Sequence, residues 1–201
     1  MPGVPGEVAR TWVGLESGGL ESAWASLGEG RLRAHGRACG LDPEPYWVTY
    51  QLDTVDGWVT SRLQVEVELS AGPRRLDLRR AGDGTWSANG QAVAGVAGAL
   101  DCDLARSPLT NTMPVLRHRL HQAAGRHDFV MAWVSLPDLG VHRSEQRYEH
   151  LRTSARGALV RFASQDGSFV ADLAVDRDGL VLDYPGLARL VQVGGVGPGS
   201  P

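Results

Sequence analysis

Apolar and polar residues alternate along most of this chain with a period of two. In RLQVEVEL (62–69), Leu63, Val65, Val67 and Leu69 fall on one face and Gln64, Glu66 and Glu68 on the other, the pattern of a strand with one wet side. FVADLAVD (169–176) sets Phe169, Ala171, Leu173 and Val175 against Asp172 and Asp176. FVMAWVSL (129–136) is apolar on both faces and predicts a strand covered from both sides. Further strands are predicted at 10–15, 20–27, 31–38, 46–53, 74–80, 115–121, 146–151, 158–163 and 180–184. Between them, AGDGTW (81–86), SANGQ (87–91), SQDGSF (164–169) and DRDGLV (176–181) carry Asp-Gly or Asn-Gly, dipeptides that accept the positive φ of hairpin turns. No helical stripe exceeds three turns; QAVAGVAGAL (91–100) holds a short helix at most.

The predicted fold is therefore all-β: a many-stranded antiparallel β-roll or barrel-like sheet with little helix. About a dozen strands are too many for a flat open sheet, which curls, splits or closes near about ten. A closed sheet wider than about eight strands no longer fills its interior with side chains, so an internal cavity is expected. The Gly- and Pro-rich ends, 1–9 and 193–201, read as flexible tails around one β domain spanning 10–192.

Charge narrows the partners. The 201 residues carry a net charge of −3, which argues against a general grip on nucleic acid or anionic membrane. Every basic residue is arginine, so Schiff-base and P-loop chemistry are excluded. No apolar run approaches the roughly 18 residues of a membrane span, and MPGVPGEVAR lacks the pattern of a signal peptide. Cys39 and Cys102 alone imply no disulfide framework. The expected setting is cytoplasmic, with no integral membrane contact.

The densest chemistry lies in ALDCDLARSPLTNTMPVLRHRL (99–120). Read as a strand, 99–104 puts Asp101 and Asp103 on one face about 7 Å apart, near the separation at which carboxylate pairs hydrolyse glycosides. The alternation in LRHRL (116–120) likewise groups Arg117 with Arg119. These arginines could instead neutralise the aspartates in a cross-strand ladder. The loop 105–114 between them is stiffened by Pro108 and Pro114, and its Thr110 and Asn111 suit local bonds to backbone. EQRY (145–148) groups Gln146 with Tyr148, a pair able to anchor a polar headgroup or to cap a buried polar network. His118 and His121 fall on opposite strand faces, and no cysteine or carboxylate pair completes a metal site with them or with His127. Of six tryptophans, most read as core and about two as pocket lining. No cofactor fingerprint is present, and neither a metal nor a cofactor is expected.

LDCDLARSPLTNTMPV resembles the signature of a bacterial family labelled "putative glycolipid-binding proteins". The similarity continues in GGLESAWASL, GDGTWSANG, SEQRYEHL and GSFVADLAVDRDGLVLDYPGLARLV, in order over roughly residues 10 to 191. The resemblance implies a many-stranded β-roll or barrel-like fold and a long-chain amphiphile as ligand. It places Glu21, Asp101, Asp103, Thr110, Asn111, Pro114, Gln146, Arg147, Tyr148, Asp183 and Tyr184 in motif positions; Arg117 joins them as a candidate ligand contact.

The leading reading is a soluble binding protein, not an enzyme, whose inward faces (Leu63, Val65, Val67, Phe169, Leu173) hold the chain of a lipid- or glycolipid-like molecule. Its polar group would lie near Asp101, Asp103, Asn111 and Arg147. The alternative is a hydrolase of a glycosylated or phosphorylated small molecule, with Glu21, Asp101 or Asp103 as acid and base. A third reading is an interaction module with an exposed apolar strand face.

Overall fold

The structure, a computed structural model, describes residues 6–15 and 18–191. The all-β expectation holds, with fifteen strands in one sheet. The first eight are β1 (Glu7–Gly14), β2 (Leu20–Gly28), β3 (Arg31–Gly40), β4 (Tyr46–Val55), β5 (Val59–Glu68), β6 (Arg74–Arg80), β7 (Trp86–Ala88) and β8 (Gln91–Ala92). After β9 (Asp101–Leu104) come β10 (Arg126–Val134), β11 (Val141–Ser154), β12 (Gly157–Ser164), β13 (Val170–Asp176), β14 (Val181–Tyr184) and β15 (Ala188–Leu190). The N-terminal meander runs outward from β1 to β8. The second runs from β10 back to β15, which pairs with β1 and joins the two. All pairings are antiparallel except β9 beside β10.

Turn chemistry follows the sequence. Asn89 and Gly90 both take positive φ in the two-residue β7–β8 hairpin, as a type I′ turn requires. Glu7, Val8 and Ala9, within the expected leading tail, pair with β2; residues 1–5 and 192–201 lie outside the described residues.

The sheet rolls without closing: β8 and β9 stand at its two ends. The curl brings β9 across to β5, where the Thr60 amide donates to Leu100 O at 3.0 Å and the Cys102 amide to Thr60 Oγ1 at 3.0 Å.

The expected interior cavity is occupied by the chain itself. From Ser107 to Leu116 every residue is buried, in a 3-10 turn (Pro108–Asn111) and helix α1 (Thr112–Arg117). Leu63, Val65 and Val67 share a core with Cys102, Leu104, Leu109 and Met113, and Leu173 shares one with Val115 and Leu120. These faces therefore pack on residues 102–120 and are not free to hold a ligand chain. Phe169 stands just outside β13 and is partly exposed.

Residues 115–121 are correspondingly not a strand. Their alternation predicts one, but residues 112–116 of α1 are all buried, so the period-two reading loses its meaning there. Only Trp12 and Trp86 among the tryptophans are fully buried, their indole N–H groups donating to Val181 O (2.8 Å) and Ala99 O (3.0 Å).

Candidate functional site

The signature segment is wired to the sheet by a continuous polar network. β9 exposes alternate residues to different partners: Cys102 enters the apolar core while Asp101 and Asp103 meet polar groups. Asp101, fully buried, receives Arg117 in a bidentate pair at 2.5 and 2.6 Å. The same guanidinium donates to Gly57 O and Trp58 O at 2.9 Å, tying the β4–β5 turn to β9. Burial pushes the Asp101 carboxyl up and Arg117 works against that push. The expected Asp–Arg neutralisation is thus present, from a helix and not from a facing strand. Arg119 takes no part, donating to Gln122 Oε1 at 2.9 Å.

Asp103 accepts from Gln146 Nε2 (2.6 Å) and Thr110 Oγ1 (2.9 Å). Burial raises its pKa too, and those two donors lower it. Tyr148 Oη lies 2.8 Å from Asn111 Oδ1 and 3.2 Å from Gln146 Oε1. Thr110 Oγ1 and Asn111 Nδ2 also reach Ser107 O, at 3.1 and 3.4 Å. Ser107 Oγ then donates to Glu21 Oε1 at 2.7 Å, beside a 2.5 Å bond from the Tyr50 hydroxyl. Glu21, Asp103, Thr110, Asn111, Gln146 and Tyr148 therefore form one inner cluster.

Glu21 differs from the two aspartates. Its Oε2 is buried and has no partner among the described residues. It borders a cleft of about 40 Å³ lined by Trp12, Gly14, Gly19, Arg106 and Pro108 among others, space for a water or two. Burial raises its pKa from 4.5 to about 7, against the lowering bonds from Tyr50 and Ser107. Among the described residues no second carboxylate lines this cleft.

Other expected site residues lie elsewhere. Arg147 and Asp183 sit on the outer side of the sheet, paired with Asp128 (2.6 Å) and Arg189 (2.7 Å). Tyr184 packs with Phe162 and Phe169, ring centroids about 6 Å apart. His118 and His127 stack at 3.8 Å, an arrangement that α1 creates and a strand would not. Among the described residues, no group of three or more His, Cys, Asp or Glu could hold a metal ion, and no helix is long and apolar enough to cross a membrane.

The outer face of β2–β6 carries what the interior does not. One cross-strand row reads Val13, Leu20, Cys39, Trp47. Trp47 is 64% exposed and Leu20 45%, with Leu41 at 61% just beyond β3. The next row, about 7 Å further along the strands, is Ser22, Arg37, Thr49, Glu66, Arg75. The third is Trp24, His35, Gln51, Gln64, Asp77. These two polar rows line a concavity of about 450 Å³. Trp24 stacks on one face of His35, with centroids 5.2 Å apart and planes 8° from parallel, leaving the other face turned toward β4. The side chains of Arg37, Thr49, Gln51 and Gln64 make no hydrogen bond or ion pair within the described residues. A second hollow of about 620 Å³, lined by Arg31, Arg33, Asp53 and Arg62 among others, continues the trough.

The chain matches the model of the family described as "Putative glycolipid-binding" over residues 9–190. It belongs to that family. A crystal structure of a DUF1089 family protein from Pseudomonas aeruginosa is similar, at 30% sequence identity and a TM-score of 0.69, covering 84% of this chain and 91% of that one. A comparison with curated proteins finds no match. The matched residues 9–190 include both the inner cluster and the outer trough.

Sequence reasoning named most of the inner cluster but missed Tyr50, Ser107 and Arg106, and missed the trough residues Arg37, Trp47, Gln51 and Gln64. Ser107 lies inside the quoted signature. Gln64 was legible as the wet side of β5, but nothing in one strand says that four wet sides form a hollow.

Proposed function

We propose that this member of the family binds a glycolipid-like amphiphile on the outer face of β2–β6, not inside the roll. The apolar part lies along Val13, Leu20, Leu41 and Trp47. The saccharide sits in the adjoining hollow between the free face of His35 and the side chains of Arg37, Thr49, Gln51 and Gln64. One observation carries this reading: an exposed apolar row stands one pleat, about 7 Å, from a hollow in which the side chains of Arg37, Thr49, Gln51 and Gln64 have no partner among the described residues. Open amides and hydroxyls beside an aromatic face suit a sugar ring, which offers hydroxyls at its rim and C–H groups on its faces.

The hydrolase alternative needs two carboxylates on one cleft with separated pKa values. Glu21 has the raised pKa, but Asp101 is committed to Arg117 and Asp103 to Thr110 and Gln146. Binding without chemistry is the reading we retain.

Saturation-transfer NMR with monomeric octyl β-D-glucoside tests it. The expected result is transfer to both the sugar and the alkyl chain, lost in Trp47→Ala and in Gln51→Ala/Gln64→Ala. Transfer that survives both variants but disappears in Glu21→Gln would move the site to the inner cleft and sink the proposal.

A further inference from the structure

We infer that the hollow on β3–β6 selects an anionic headgroup, an oxyanion carried on or beside the saccharide, and that Arg37 is its specificity-determining residue. The inference rests on the amphiphile reading and adds the charge of the ligand. Two arginines, Arg37 and Arg75, and two carboxylates, Glu66 and Asp77, line the hollow, and Arg62 and Arg79 reach Asp77 from the next cross-strand row. Both carboxylates are already engaged. Arg75 grips Glu66 through two bonds of 2.9 and 3.0 Å. Asp77 takes Arg62 in a bidentate pair at 2.7 and 2.9 Å and Arg79 at 3.0 Å. Of these arginines only Arg37 has no acidic partner among the described residues, and it lines the hollow beside Thr49. A chain of net charge −3 therefore keeps in this hollow one guanidinium that no carboxylate among the described residues neutralises. An exposed arginine needs no partner to be stable. The combination of an unpaired fork, neutralised neighbouring acids and open amides is what an oxyanion on a sugar would meet. Arg31 and Arg33, further along the trough, are balanced by Asp56 and Asp53 and add no such preference.

Isothermal titration with three single-chain probes tests the inference: octyl β-D-glucoside, octyl β-D-glucuronide and octyl phosphate, all below micelle formation. The glucuronide differs from the glucoside by one carboxylate. It is expected to bind about tenfold tighter, the effect of one charge-assisted bond, with the advantage shrinking at high salt. In Arg37→Gln the ratio of glucuronide to glucoside affinity is expected to fall close to one, whatever the variant loses in glucoside affinity itself. Octyl phosphate binding as tightly as the glucuronide would support the oxyanion and assign the affinity to charge, not to the sugar. Equal affinity of parent protein for glucoside and glucuronide overturns the inference and leaves the amphiphile reading standing. A ratio that persists in Arg37→Gln overturns the role of Arg37. No binding of any probe removes both the inference and the reading beneath it.

Discussion

Two buried carboxylates on the inner side of the roll, Asp101 and Glu21, meet the same low-polarity surroundings and are handled in opposite ways. Asp101 receives a bidentate guanidinium, and Arg117 spends its remaining donors on two backbone carbonyls of the β4–β5 turn. Glu21 receives two hydroxyls on one oxygen and, among the described residues, nothing on the other. Burial raises the pKa of both, but only Asp101 has a cation to oppose it. The difference separates a fastening from a titrating group: Asp101 holds β9, α1 and a distant turn together as a charged pair, whereas Glu21 is accommodated by keeping its proton.

The largest effect should come from breaking the pair. Arg117→Ala leaves Asp101 buried and uncompensated, and such losses cost about 3–5 kcal/mol. Urea unfolding is expected to show it, with part of the loss recovered in Arg117→Ala/Asp101→Asn. A single variant that unfolds like the parent would mean that water already reaches the aspartate.

Glu21 should instead make stability depend on pH. The folded chain holds its proton up to about pH 7, whereas the unfolded chain releases it near 4.5. Between those values the unfolded state binds fewer protons, so stability falls as pH rises through the window and levels off above it. The total change is on the order of 3 kcal/mol. Glu21→Gln is expected to be more stable than the parent at pH 8 and to lose that advantage near pH 4.5. Parallel melting curves across the range would show that the carboxylate ionises freely in the fold.

Gly36→Ala gives a smaller, sharper test. A Cβ there would stand 2.3 Å from the Tyr50 ring, whose hydroxyl serves Glu21. Displacing that ring is expected to cost about 1–3 kcal/mol. It should also raise the Glu21 pKa further, because a lowering bond is lost. Crystallography or a Glu21 titration that found Tyr50 in place would contradict it.

Much of the fold was legible because strands with one wet side write their pleat into the sequence. Leu63, Val65 and Val67 were read as inward, and they are; Asn89-Gly90 was read as a hairpin, and it is. What failed was the inference from strand count to cavity. Residues 107–116 show no periodicity to betray their depth, because a segment buried on every side has no wet face against which a pattern could be seen. The inner cluster was partly readable since Asp101, Asp103, Thr110 and Asn111 lie within one stretch. Its link to Glu21 ran through Ser107 and Tyr50, contacts spanning 86 and 29 positions.

The sequence by itself determined the all-β class, the hairpins, the inward faces and the family, all of which depend on neighbours along the chain or on residue order. Only the tertiary structure decided that the inward faces met the chain's own signature segment and that the ligand-sized space lay on the outer face. It alone aligned Trp47 with Leu20, and Gln64 with Gln51 and His35, into an amphiphilic outer surface. Cross-strand register sets those alignments, and register is fixed by packing and turns between strands. No single strand's alternation contains it.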